Sequence, residues 1–331
     1  MITSFFSTAL LTASFLLLAT VQAQQPPVGS PTPVTSPSVT NQASLSHEPT
    51  TVAEATAQNK YLGKLTPEEY ARWDTYVNSR PAEEQEWFRT LENQLGSFYA
   101  PPYMRDLPAG NVKPESDGWA YVKDNPALPR VLIIGDSISR SYTAPVRIAL
   151  TGKANVHRAP ANCGNTDNFF KFGESWLKQN DKDRWDVVVF NFGIHDRDKA
   201  PDLYAANLRK IYDRLKAAGA SIVWVETTPF ARAEDAPGTD RSPALNSTGN
   251  AIATEEGAEI VRLHDLMLPE LASLQKSDRT HFNEEGQRKM GTAVAEAVSR
   301  HLKPASSVSS VSSVSSVSSV SSASPGPTVV R

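Results

Sequence analysis

The sequence predicts an α/β fold: a three-layer α/β/α sandwich on a mainly parallel five-stranded sheet, preceded by a small helical segment. Three observations predict it. Short apolar runs of strand length alternate with longer segments of helical period from residue 130 onward. Four groups of polar residues fall just beyond four predicted strand ends, where a parallel sheet places its ligands. The 331-residue chain is long enough for one sizeable core, and its apolar mass lies between two ends of quite different composition.

At the amino end, Ile2 to Thr20 carries no charged side chain and contains the apolar stretch Phe15 to Ala19, followed by Val21-Gln22-Ala23. This suits a secretory signal peptide over residues 1–23 and so an exported protein, periplasmic or extracellular. The n-region has no Lys or Arg; a retained anchor is the competing reading, but the run is interrupted by Ser and Thr and is short for a span of about 20 residues. No stable membrane span is expected after cleavage. Residues 24–59, rich in Pro, Ser and Thr, read as a disordered leader. Residues 304–331, with their Ser-Ser-Val repeat, read as a disordered tail or spacer.

Residues 60–129 read as a helical preface and a surface connection. Thr66-Pro67-Glu68-Glu69 and Pro81-Ala82-Glu83-Glu84 open two helices, whose Trp73, Tyr76, Trp87, Phe88 and Leu91 are expected to pack on the main domain. Tyr99 to Pro129, with several prolines, reads as irregular. The main domain spans 130–303. Its strands are expected at Val131 to Ile134, Asn155 to Arg158, Asp186 to Phe192, Ser221 to Glu226 and Glu259 to Leu263. Helical patterns at Ala144 to Leu150, Asn168 to Lys178, Leu203 to Ala218, Ala244 to Gly257 and Glu284 to Leu302 complete the alternation.

A formal net charge of −3, with acids and bases intermixed and no basic stripe, makes nucleic acid a poor partner. The single cysteine, Cys163, excludes an intramolecular disulfide, and a buried structural thiol suits it better than a nucleophile.

Four polar blocks carry the chemistry. Gly135-Asp136-Ser137 puts a serine at a strand-to-helix turn, where the helix N-terminus offers N–H groups to an oxyanion; alone it is also an ordinary N-cap. Asn162-Cys163-Gly164-Asn165-Thr166 follows the second strand, and Gly164 permits close backbone approach. Gly193-Ile194-His195-Asp196 follows the third, with His195 a candidate N–H donor or a turn histidine. In Asp278-Arg279-Thr280-His281 a carboxylate and an imidazole three residues apart in a loop can meet.

In this order the blocks resemble the SGNH/GDSL hydrolase superfamily over about Arg130 to Leu302, and specifically an exported carbohydrate-esterase-like bacterial subgroup with a Gly-x-His-Asp third block. The resemblance implies a flavodoxin-like sheet, Ser137 as nucleophile, His281 as general base and Asp278 as its partner. It implies an oxyanion hole from the Ser137 and Gly164 N–H groups, with His195 where the family usually has Asn. Asp136, Asn162 and Arg140 are candidate substrate-binding residues. The implied activity is hydrolysis of short-chain, acetyl esters on a small molecule or polysaccharide, with no cofactor and no metal. Arg140 and Arg197 adjoin the blocks and suit an anionic group; Phe169, Phe170, Trp176 and Phe230 suit either sugar stacking or core packing.

Two other readings remain open in the sequence. Asp136, His195, Asp196, His264 and Asp265 are the ligand types of a metal-dependent phosphoesterase. The replacement of Asn by His195 also suits a non-catalytic glycan-binding protein on the same fold.

Overall fold

The computed structural model describes residues 63–179 and 184–302, together with Gly326. The expectations for residues 1–23 and 24–59, and for the repeat of the tail, fall outside the described residues.

Five strands form one sheet: β1 (Arg130–Ile134), β2 (Asn155–Arg158), β3 (Val187–Phe190), β4 (Ser221–Val225) and β5 (Glu259–Val261). Their order is β2-β1-β3-β4-β5, and every pairing is parallel. This is the expected flavodoxin-like order, in which the winding reverses between β1 and β3 and opens a crevice at their carboxyl ends. The runs Val131 to Ile134 and Val187 to Phe190 are fully buried, as strands covered on both faces require.

The connections are helical: α4 (Ser137–Ala149), α5 (Thr166–Leu177), α6 (Pro201–Ala217), α7 (Ser242–Glu255) and α10 (Glu284–His301), with the short α8 (Leu263–Met267) and α9 (Leu271–Leu274). Helix α4 packs against α10, while α5, α6 and α7 pack in series, so helical layers flank the sheet. The domain is a three-layer α/β/α sandwich. No helix among the described residues is long and apolar enough to cross a membrane.

Before the sheet come α1 (Pro67–Asn78), α2 (Ala82–Gln94) and α3 (Gly96–Asp106). Thr66 closes a capping box on α1, accepting the Glu69 N–H at 3.2 Å while the Glu69 carboxylate accepts the Thr66 N–H at 2.8 Å. Helix α3 corrects the expectation of irregular chain from Tyr99. Pro101 lacks the N–H that would reach the Ser97 carbonyl, but Lys64 Nζ donates to that oxygen at 2.8 Å and keeps it satisfied.

The preface aromatics also pack differently from expectation. Trp73 meets Phe88 and Tyr103 at ring-centroid distances of 5.8 and 6.3 Å, and Val77, Leu91, Met104 and Trp119 close a separate small core around them. Once α3 supplies a third wall, these helices bury their apolar faces on one another. The segment around Trp119 is then tied to the main domain by Arg147 of α4, which donates to the carbonyls of Asp117 (2.8 Å) and Gly118 (3.2 Å).

Candidate active site

The first block becomes a tight turn from β1 into α4. Asp136 is extended and accepts the Ile138 N–H at 2.9 Å, which is the N-cap interaction. Ser137 is therefore the first helical residue, and its own N–H has no intrahelical acceptor. Its Oγ lies 2.8 Å from His281 Nε2, although the two residues are 144 apart in sequence.

His281 is oriented from behind. Its Nδ1 is 2.8 Å from Asp278 Oδ2, while Asp278 Oδ1 accepts the N–H groups of Thr280 (3.0 Å) and His281 (2.9 Å). With Nδ1–H donated to the carboxylate, Nε2 is left to accept the Ser137 hydroxyl proton. Burial pushes the Asp278 carboxyl upward, but the His281 and Thr280 donors together outweigh it and hold the group below the usual carboxylate range. Asp278 is thus anionic throughout the neutral range and able to stabilise an imidazolium.

The turn between these two residues contains the one non-glycine residue with positive φ among the described residues, Arg279 at 58°. Left-handed backbone is unfavourable for a residue with a Cβ. The side chain holds it there: Nη1 donates to the carbonyls of Arg232 (3.1 Å) and Asp235 (2.8 Å), and Nη2 to that of Ala236 (2.9 Å). The Arg279 carbonyl also accepts the Ala231 N–H at 3.0 Å. Arg279 has no signature in the sequence, because neither its backbone angle nor its distant acceptors is set by local pattern. Arg279→Ala keeps the strain and loses the side-chain bonds, so it is expected to lower stability by roughly 2 kcal/mol. Arg279→Gly relieves the strain and is expected to recover about 1 kcal/mol of that, which urea unfolding of the two variants will measure.

On the other side of Ser137, the second block is docked by a bond from the Cys163 N–H to the Gly135 carbonyl at 3.1 Å. Gly164 has φ +65°, and a Cβ there would lie 2.7 Å from Asn168 Nδ2, so glycine is needed for conformation and for space. The third block closes against the end of β4: a Cβ on Gly193 would come within 1.8 Å of Thr227 Oγ1. Buried Asp196 joins these two blocks, accepting the N–H (2.9 Å) and Oγ1–H (2.7 Å) of Thr166. Burial pushes its carboxyl upward, against the pull of the Thr166 bonds and Lys199.

Among the described residues, the N–H groups of Ser137 and Gly164 donate to no other group, and the exposed His195 side chain has no hydrogen-bond partner. The donors that an oxyanion would require are uncommitted, whereas Ser137, His281 and Asp278 are committed to one another.

The remaining candidates divide clearly. Asp136 is 3% exposed and serves as the N-cap of α4. Asn162 Oδ1 is buried without a partner. Arg140 lies against the rings of Tyr99 and Trp119. Arg197 donates to the Ile194 carbonyl at 2.7 Å and lines, with Phe230, Arg232, Asp278 and Thr280, a groove of about 460 Å³ beside the Asp278 turn.

Cys163 is fully buried, and burial pushes its thiol up to about 12, which suits a structural residue. Phe169, Trp176 and Phe230 are core residues, while Phe170 is half exposed. The ligand types of the phosphoesterase reading do not converge: His264 has Asp240 on Nε2 (2.8 Å) and Asp265 on Nδ1 (3.0 Å), on opposite sides of its ring. No group of three or more His, Cys, Asp or Glu among the described residues is placed to hold one metal ion.

A parallel sheet of this order with a serine, a histidine and a carboxylate linked at its carboxyl edge is the arrangement that the resemblance to the SGNH hydrolases implies. Residues 133–289 match the model of the GDSL-like Lipase/Acylhydrolase family. The chain is similar to a solved protein of Slackia heliotrinireducens assigned as an SGNH hydrolase, at 21% identity over 52% of this chain and 99% of that one (TM-score 0.42). It is similar at 16% identity to an α/β hydrolase enzyme from the metagenome of Lake Arreo, Spain, over 53% and 97% of the two chains (TM-score 0.42). Axe2, an acetylxylan esterase from Geobacillus stearothermophilus, is 18% identical over 51% of this chain and 94% of its own (TM-score 0.42). No significant match is found among the curated proteins.

Proposed function

We propose that this domain is an exported serine esterase that removes short acyl groups, acetyl above all, from a carbohydrate. The observation that carries the reading is the linkage of Ser137 Oγ to His281 Nε2 and of His281 Nδ1 to Asp278, both at 2.8 Å. Ser137 Oγ attacks the ester carbonyl as its proton passes to His281 Nε2. The carbonyl oxygen, now an oxyanion, is taken by the N–H groups of Ser137 and Gly164 and by His195. Collapse of the tetrahedral species expels the alkoxide, which takes the proton from His281 and leaves as an alcohol. Water then enters, gives a proton to the same nitrogen and adds to the acyl-serine. The second collapse returns the proton to Ser137 Oγ and releases the acid.

His195 supports this path only as a neutral donor or a cation, since both forms retain an N–H. Export rests on the composition of residues 1–23, and carbohydrate as the acyl carrier rests on the family resemblance.

A fluorophosphonate probe tests the reading directly. Stoichiometric labelling of Ser137, located by peptide mass spectrometry, is expected together with acetate release from p-nitrophenyl acetate and from an acetylated oligosaccharide. Intact, unlabelled protein with no acetate release from either ester would overturn it, and glycan affinity in that protein would support a binding function instead.

A further inference from the structure

Arg140 stands one helical turn after Ser137 on α4, and its guanidinium carbon is 5.4 Å from the Tyr99 ring centroid and 5.0 Å from that of Trp119. Both rings belong to the preface, so the preface and the nucleophile helix together fix the position of this cation. A guanidinium offers five N–H donors. None of those on Arg140 reaches a protein acceptor: it has no ion pair and no side-chain hydrogen bond among the described residues, and its Nε is buried without a partner. The buried indole N–H of Trp119 is also unpartnered. The two unsatisfied groups are both donors, on side chains whose guanidinium carbon and ring centroid are 5.0 Å apart.

Three arginines gather here around one carboxylate, Asp117, whose charge acts on both Arg140 and Arg147. Arg147 and Arg158 flank Arg140 near α4, and each donates only to carbonyl or hydroxyl oxygens. The nearby Asp117 carboxylate is itself buried and already accepts the Tyr103 hydroxyl (2.7 Å) and the Trp119 N–H (2.8 Å). Burial pushes the Arg147 guanidinium down to about 10, although the charge of Asp117 pulls it the other way. Beyond Tyr99, with ring centroids 4.8 Å apart, stands Phe98, the most exposed large apolar side chain at 77%. An exposed ring one aromatic neighbour away from an uncommitted guanidinium suits a sugar acid, whose apolar face stacks while its carboxylate takes the fork.

We propose that Arg140, backed by Tyr99 and Trp119, is a recognition site for a carboxylate on the substrate, so that the preferred esters are carried by uronic-acid-containing glycans. The inference builds on the esterase reading for its turnover but not for its binding. The guanidinium receives a uronate near the acylated sugar and aligns the ester with Ser137. The preface thereby shapes specificity, because it supplies the rings that hold Arg140.

The test compares wild type, Arg140→Gln and Arg140→Lys on an O-acetylated oligouronide and an O-acetylated neutral oligosaccharide of equal length. Calorimetric titration of the corresponding deacetylated oligomers runs alongside. Wild type is expected to prefer the uronide, and Arg140→Gln to reduce the uronide-over-neutral ratio of kcat/KM about 10- to 100-fold. Arg140→Lys keeps the charge without the fork, so part of the preference should survive. The wild-type preference should also fall with added salt. A ratio within twofold of wild type in Arg140→Gln, or a salt-independent preference should that variant not fold, would overturn the proposal. Failure of the wild type to cleave either ester would count against the esterase reading alone. The ratio of Kd values for the two oligomers would still decide the role of Arg140.

Discussion

Ser137→Ala is expected to lower kcat for an aryl acetate by roughly 10⁴- to 10⁶-fold while shifting Tm by less than about 3 °C. The two parts of this expectation have separate causes. Removing Oγ removes an attacking oxygen that lies 2.8 Å from the nitrogen that takes its proton, so His281, Asp278 and the free N–H groups are left to stabilise attack by water alone. Stability should barely respond. The hydroxyl makes one hydrogen bond, to a histidine whose side chain is more than a third exposed, and such a bond contributes about 1 kcal/mol or less. Steady-state kinetics and a thermal melt on the same preparation read both quantities. Activity within tenfold of wild type in a folded Ser137→Ala protein would remove Ser137 from the mechanism.

The parts of this molecule that were legible in the sequence are those set by local pattern. Val131 to Ile134 and Val187 to Phe190 are apolar without interruption because both faces of a parallel strand are covered, and that pattern is visible in one dimension. Asp278 and His281 lie three apart, so their meeting depends on one turn, and the pairing with Ser137 was inferred only from the ordered company of the other blocks. What stayed hidden depends on partners far away in sequence. The helix at Gly96–Asp106 was concealed by Pro101 and Pro102, since the lysine that satisfies the released carbonyl is 33 residues upstream. Asp196 was read as a possible metal ligand, whereas its place is set by Thr166, 30 residues earlier. Asp136 has a place that the local pattern does predict. The N-cap rule points its side chain back at the Ile138 N–H, 2.9 Å away.

Arg158 is the clearest case of a residue without local signature, and it carries the largest stability expectation. It ends β2, is completely buried, and has no carboxylate within ion-pair range among the described residues. Its guanidinium instead holds the nucleophile turn, donating to Ser139 Oγ at 2.7 Å and to the carbonyls of Gly135 and Asp136, each at 2.9 Å. Two effects oppose each other in Arg158→Met. Removing a buried cation recovers desolvation free energy, and burial already pushes this guanidinium below its ordinary range. Against that, three charge-assisted bonds are lost, each contributing about 1.5–3 kcal/mol, and a cavity opens where the planar head was packed. The acceptors are not all orphaned: Gly135 O keeps the Cys163 N–H, and Asp136 O keeps the Arg140 N–H and Ser139 Oγ–H. Because partners remain, the loss should stay below the sum of the bonds, and a net destabilisation of roughly 2–4 kcal/mol is expected. For a domain of this size that lowers Tm by about 5–15 °C. Well below the new Tm, kcat should still fall roughly tenfold, because Ser137 follows directly on the two carbonyls that lose their clamp and misplacement of a nucleophile by a fraction of an ångström is felt in rate. Paired melting and kinetic measurements on Arg158→Met test both terms. A variant more stable than wild type but slower would show that the buried charge is a net burden on folding, retained for the geometry of the serine turn.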